Sequence, residues 1–194
     1  MSNVLIINAH HHYPFSEGRL NHTLVQQAAA HIHAKGHETR IEKIDEGWNV
    51  DNALKNHQWA DTILLQMPVN WMGVPWTFKK YMDEVYSAGM SGILCNGDGR
   101  TEDAPKKSYG VGGALSGKKY MLSVTLNAPR EAFNNADEYL FQGKGLDDLL
   151  FPIHMNFRFF GMAALPSFAC YDVMKNSDAE SDFSRFSTHL EINF

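Results

Sequence analysis

A chain of 194 residues with 44% apolar side chains can bury one sizeable core and is no longer than one domain needs. Its net charge of −5 and pI near 6.0, with basic residues scattered apart from a few lysine pairs, exclude the basic stripe of a nucleic-acid binder. No apolar run approaches the ~20 residues that cross a bilayer and no basic segment precedes the first apolar run, so neither membrane insertion nor a signal peptide is expected. Two cysteines, Cys95 and Cys170, are too few for a disulfide framework and point to the cytoplasm. No repeat, low-complexity tract or linker interrupts the chain, which reads as a single domain over residues 1–194.

Val4 to Ile7 is a short run of branched apolar residues, the pattern of a strand buried on both faces. A helix follows from Leu20 to Lys35, with Leu24, Ala28 and Ile32 on one side and Gly36 after its end. Thr39 to Ile44 is a charged strand and therefore an edge. Val50 to Trp59 reads as a helix, and Thr62 to Met67 as a second buried strand closed by Pro68. Pro75 is expected at the first position of a helix whose inner stripe is Phe78, Tyr81, Met82 and Val85.

Ser91 to Gly117 is a long glycine-rich excursion, and loops of that length are usually functional. Lys119 to Leu126 is a fourth strand, and Leu149 to Phe160 a helix with Pro152 near its start. Ala163 to Ala169 is a fifth strand whose Pro166 places it at an edge. Ser177 to Leu190 closes the chain as a helix. Alternating strands and helices imply an α/β domain with a parallel sheet. With the second and fifth strands at the edges, the order is the flavodoxin-like 2-1-3-4-5, five strands with helices on both faces.

In such a sheet ligands sit outside the carboxyl ends of the strands where the order reverses, here between the first and third strands. Three loops converge there: Ala9 to Arg19, Pro68 to Val74 and Leu126 to Ala132. The first feeds a helix N-terminus, a natural seat for phosphate, and offers Ser16, Gly18, Arg19 and Asn21. Ser16 has the alternative role of helix cap. Neither a dinucleotide glycine fingerprint nor a Walker A loop is present. The second loop exposes Trp71 and Met72, which suit a flat apolar ligand, whereas Trp76 is expected to pack under the neighbouring helix. The third brings the backbone of Thr125 to Ala128 to the same crevice. A phosphate seat, a flat apolar surface and a backbone-lined edge are what a flavin needs.

At these residues the chain resembles the flavodoxin-like NAD(P)H quinone reductases, in particular those of the bacterial "modulator of drug activity B" type. The resemblance covers essentially the whole chain. It rests on "SEGRLNHTL" from Ser16, "QMPVNWMGVPWTFKKYMDEV" from Gln66, "DGRT" from Asp98, "GKKYMLSVTLNAPREAF" from Gly117 and "LPSF" from Leu165. It implies bound FAD rather than FMN and a homodimer with active sites at the subunit interface. It also implies two-electron reduction of a quinone by NADPH or NADH, by ping-pong hydride transfer through flavin N5.

Carried over by position, the diphosphate contacts are Ser16, Glu17, Gly18, Arg19, Leu20, Asn21, His22 and Thr23. The ring contacts are Val69, Asn70, Trp71, Met72, Thr125, Leu126, Asn127 and Ala128, with Tyr109 as a further one. His10 follows an alanine after the first strand, as in the related mammalian enzymes, where that histidine approaches the phosphates. The Tyr and His pair of those relatives has no equivalent in Ala132 to Gly145, which leaves acid–base residues unassigned. Two other readings remain. One is a flavin-binding ancillary subunit of a potassium-efflux system with weak reductase activity. The other is a one-electron flavodoxin, disfavoured by the excursion and the extra helical segment.

His11 and His12 are expected on the rim beside His10, because consecutive histidines on an extended loop point different ways, and no metal site is expected. His31, His33 and His37 are expected on or beside the exposed side of the first helix. Arg100, Lys106 and Lys107 are candidates for the extra phosphate of NADPH.

Overall fold

The computed structural model describes residues 1–194. Its strands are β1 (Asn3–Asn8), β2 (Glu38–Lys43), β3 (Thr62–Pro68), β4 (Lys119–Thr125), β5 (Ala163–Ala164) and β6 (Phe168–Cys170). Its helices are α1 (Arg19–Ala34), α2 (Val50–Trp59), α3 (Trp76–Tyr81, continued by a π turn over Met82–Tyr86), α4 (Leu146–Leu149), α5 (Phe151–Phe159) and α6 (Ala179–Asn193).

Every strand pairing is parallel, in the order β2-β1-β3-β4, with β5 and β6 both against the far side of β4. The expected order therefore holds, with the fifth strand in two pieces. Pro166 stands in the gap and has no N–H to give to the ladder. Pairing resumes at Phe168, opposite Ser123.

Alternate side chains on the central strands face opposite layers. Val4, Ile6, Leu64 and Met121 pack against α1 and α6, with Leu24, Ala28, Ile32, Phe186 and Leu190. Leu5, Ile7, Ile63, Leu65, Tyr120 and Leu122 pack against α2, α3 and α5. Both faces are covered, which is why these strands read as unbroken apolar runs.

Helix ends depart from the sequence reading in three places. Pro75 is the residue before α3 rather than its first residue. The helix expected over Leu149 to Phe160 begins earlier and is split at Leu150 (φ −86°, ψ 3°). Pro152 enforces that split, since its ring would collide with the carbonyl four residues back in a continuous helix. Trp76 does not pack under a helix: it is 60% exposed, with its ring edge against His11. It precedes Phe78 by two positions, about 200° around the helix from the inner stripe.

The split helix is anchored to the sheet by a chain of side chains that runs from the buried Tyr120 and His154 to the exposed Asp147. The Tyr120 hydroxyl lies 2.7 Å from His154 Nδ1, and His154 Nε2 lies 3.2 Å from an Asp147 oxygen. Tyr120 also stacks on Phe157, with ring centroids 4.4 Å apart.

Candidate functional site

The loops after β1, β3 and β4 meet at the carboxyl edge of the sheet and enclose a crevice of about 430 Å³. It brings together His10, Ser16, Glu17, Gly18, Arg19, Leu20 and Asn21 from the first loop and helix start. Val69 and Asn70 line it from the second loop, and Thr125, Leu126 and Asn127 from the third. Beyond Gly18 lies a second hollow of about 320 Å³ with no apolar lining. The two share His10, Glu17, Gly18 and Arg19, so they adjoin as two lobes along the start of the helix. His22 lines the second lobe.

Helix α1 starts into this groove without a side-chain cap and with no acidic residue in its first turn. Its first N–H groups, which have no intrahelical partner in any helix, are thus left open to the groove. Gly18 is the N-cap, at φ 79°. Ser16 is thus not the cap. Its backbone pairs with Tyr13 in a tight turn, and its Oγ lies 3.4 Å from His10 Nε2. The glycine is required twice over: by its positive φ, and because a Cβ there would stand 2.3 Å from His10 Nδ1.

Asn70 and Gly73 exchange both backbone hydrogen bonds across a two-residue turn. Its central residues, Trp71 (φ 49°) and Met72 (φ 64°), both adopt positive φ. That is the backbone of a hairpin turn usually given to Asn-Gly. Trp71 at its tip is 99% exposed. The turn holds a large aromatic ring in solvent on a strained backbone, and such strain clusters at functional sites.

Under the crevice runs a buried polar row. Asn8, Gln66 and Ser123 stand in register across β1, β3 and β4, on the face covered by α1. Gln66 donates from Nε2 to Asn21 Oδ1 (2.9 Å), and Asn21 donates from Nδ2 to Thr125 Oγ1 (3.1 Å). Gln66 Oε1 and Ser123 Oγ are buried with no partner. Leaving such an atom unpaired costs about 1–3 kcal/mol.

Several expected residues lie outside the crevice. Thr23 is exposed and returns its hydroxyl to the Arg19 carbonyl (2.9 Å). Ala128 packs on the core, and its carbonyl accepts from the Asp172 N–H. Tyr109 stands in the excursion, edge-on to Phe159. The three consecutive histidines diverge: His10 lines the crevice, His11 Nδ1 is 2.8 Å from Asp45, and His12 is exposed. His33 is exposed, while His31 and His37 are half-buried; His37 Nδ1 accepts from the Ser2 N–H.

The sequence reading missed Tyr13 and Phe15, which stack on each other at the rim (5.1 Å), and Val173 and Met174 beyond β6. Cys170 pairs with Thr125, and the Val173 N–H donates to the Leu126 carbonyl, so the loop after β6 also reaches the crevice. Its signal was available: every parallel strand of the sheet delivers its following loop to the same edge.

His10 is held below its usual pKa of 6.5 by burial, partly opposed by the nearby Asp45. His57 on α2 is lowered chiefly by burial too, and its Nε2 has no partner. The unfolded chain binds these protons first, so stability is full above about pH 6.5 and falls as pH drops through the lower folded values. Urea midpoints are expected to decrease steadily from about pH 7 to pH 5, above the range where ordinary carboxylates titrate. Equal midpoints across that window contradict the assignment.

The family model described as "flavodoxin-like fold" matches residues 2–191. NADPH:quinone oxidoreductase MdaB of Haemophilus influenzae is 41% identical over 192 residues, which cover 99% of this chain and 99% of that protein. A candidate quinone reductase from Klebsiella pneumoniae superposes with a TM-score of 0.75 at 22% identity, covering 98% of this chain and 82% of that one. General stress protein 14 of Treponema denticola, solved in complex with FMN, superposes with a TM-score of 0.69 at 18% identity, covering 99% of both chains. At such identities the two structures show likeness of fold alone.

Proposed function

The chain belongs to the flavodoxin-like fold family, and from that premise we propose that it is a flavin-dependent NAD(P)H:quinone oxidoreductase acting as one domain. One observation carries the reading: the two-lobed groove at an uncapped helix start. The residues present fit a flavin. The free first-turn N–H groups of α1 suit phosphate. Gly18 lets the backbone come close, and Thr125 to Asn127 offer polar groups at the far wall. The smaller, wholly polar lobe favours FAD over FMN, because a mononucleotide has no second half to place there.

In this reading Ser16 to His22 and His10 serve the diphosphate region. Val69 to Met72 and Thr125 to Asn127 hold the ring system, while Ala128 serves only to pack that loop on the core. A flavin held there would supply the two-electron redox chemistry between the nicotinamide and the quinone. The chain's own tasks are to orient both ligands, exclude water and hold negative charge on the reduced ring with the Asn127 backbone N–H, which has no partner within the chain.

Tyr109 lies away from the crevice, and Trp71 is left without an intrachain partner. Both features support a homodimer in which a second copy's Tyr109 completes the site. NADPH is the preferred donor, with Lys106 and Lys107 exposed for its extra phosphate; Arg100 is committed to Asp98 through contacts of 2.6 and 2.7 Å. Two free buried thiols suit a reducing cytoplasm, and no helix is long and apolar enough to cross a membrane.

Heat release of the chromophore is expected to yield FAD, and the same sample is expected to oxidise NADPH with menadione. Donor and quinone use one place in turn, so double-reciprocal plots are expected to be parallel. Colourless protein without turnover overturns the reading; intersecting plots overturn the shared place.

A further inference from the structure

We propose that Gln66 is a positioning residue: acting through Asn21, it sets the Thr125 hydroxyl as a hydrogen-bond donor into the crevice, so that the floor of the site selects a ligand with an acceptor there. The proposal rests on the flavin reading above and goes beyond it, because Gln66 does not line the crevice.

Gln66 is fully buried, the one polar side chain between Ile63 and Met67. Its one side-chain hydrogen bond is the donation to Asn21 Oδ1. That bond fixes the Asn21 amide. With its oxygen turned to Gln66, its Nδ2 must face Thr125, and it donates to Thr125 Oγ1. With Gln66 Nε2 toward Asn21, as the structure places it, turning the Asn21 amide over alone would set NH₂ against NH₂ on the Gln66 side. Thr125 Oγ1 is therefore an acceptor on its inner side. A hydroxyl has one proton to give. Within the chain the remaining acceptor for it is Asn21 Oδ1, at 3.5 Å and already engaged by Gln66. A ligand acceptor in the crevice takes that proton on better terms.

The row thus has a direction, running from the Gln66 amide to the Asn21 amide to the Thr125 hydroxyl to the ligand. Nothing in it except Thr125 and Asn21 needs to reach the ligand. Amide polarity inside a buried network is a strong constraint, because each reversed bond leaves a donor facing a donor. The Oε1 of Gln66 and the Oγ of Ser123, its register neighbour on β4, have no partner and take no part in this chain of donation.

The test inverts the polarity. Gln66→Glu replaces the donor with a carboxylate that can only accept. Asn21 must then turn its Nδ2 to position 66 and its Oδ1 to Thr125, which draws the Thr125 proton inward. Protonation of the introduced carboxyl restores a donor. FAD affinity is measured by fluorescence titration of the full-length, flavin-stripped chain, across pH. Taking the ratio to wild type at each pH removes the contributions of His10, Glu17 and Arg19, which line the same crevice.

The expected result at alkaline pH is about tenfold weaker binding by Gln66→Glu, the equivalent of one hydrogen bond, with the deficit shrinking as pH falls. Thr125→Val is expected to show the same loss at every pH, and adding Gln66→Glu to it is expected to cost nothing more. Gln66→Met, which adds no buried charge, is expected to lose about half that free energy, or threefold, at every pH, and stands in if Gln66→Glu fails to fold.

Wild-type affinity in both Gln66 variants overturns the proposal, as does a Gln66→Glu deficit that does not change with pH. Losses that add in the double variant overturn it as well. A wild-type chain that binds no FAD overturns the flavin reading and this proposal with it, so the two failures are told apart by the wild-type titration.

Discussion

Gly18→Ala is expected to strip the purified protein of its flavin while leaving the sheet folded. Two effects act together at one position. The first is conformational: Gly18 adopts φ 79°, and a left-handed conformation costs an L-residue about 1–2 kcal/mol. The second is steric. The added Cβ would meet the His10 ring at 2.3 to 2.7 Å, distances that no real Cβ contact shows. Either the ring is pushed into the adjoining hollows or the start of α1 shifts, and both disturb the same wall of the crevice. That start is the proposed phosphate seat. We expect the ratio of flavin to protein absorbance to fall by about tenfold or more, and melting to drop by several degrees, at about 2–4 °C per kcal/mol for a chain of this length. The second site separates the two causes. Adding His10→Ala to Gly18→Ala removes the collision but not the backbone cost, and is expected to recover part of the flavin. Full retention of flavin by Gly18→Ala alone overturns the assignment of this helix start.

The turn at Asn70 to Gly73 sets stability against activity. Trp71 and Met72 both hold positive φ, where Asn-Gly would sit without strain. Replacing them, as Trp71→Asn with Met72→Gly, is expected to raise stability by about 1–2 kcal/mol. The cost falls on function. Trp71 is almost wholly exposed, so removing it takes little from the core. It does take away the flat apolar surface offered to the ring system. Lost aromatic contact and lost burial are expected to lower kcat/KM for menadione at least about tenfold. A melting curve and a turnover assay on one preparation check both halves. A variant that is no more stable, or that keeps its activity, shows that the turn stores no strain for function.

Much of this architecture was visible in the chain. Val4 to Ile7 and Thr62 to Met67 read as strands because parallel strands covered on both faces need apolar residues throughout. The order followed from two edges, one charged at Arg40 to Lys43 and one broken by Pro166. The position of the crevice followed from the order. Less visible was whatever depends on the path of a loop. Tyr13, Phe15, Val173 and Met174 lie in segments without periodicity, and no pattern predicts their convergence. Ser16 had the composition of a helix cap, but the chain turns at Gly18 instead. Trp76 was misplaced through neglect of helix angle, since two positions from Phe78 is nearly the opposite side. Gln66 had a signal that composition alone does not interpret, a single amide inside an otherwise apolar strand.

The interrupted fifth strand also governs how copies of this chain can meet. A long bare strand at the border of a sheet invites another backbone to extend the ladder, in orderly pairing or in aggregation. Here one border offers only two residues, Ala163 and Ala164, then a proline, then three more. The opposite border, β2, is guarded by alternating Glu38, Arg40 and Glu42. Neither border is a template for a further strand. Association between copies is left to side-chain surfaces such as the exposed Trp71 turn, where shape and chemistry decide which partner is accepted.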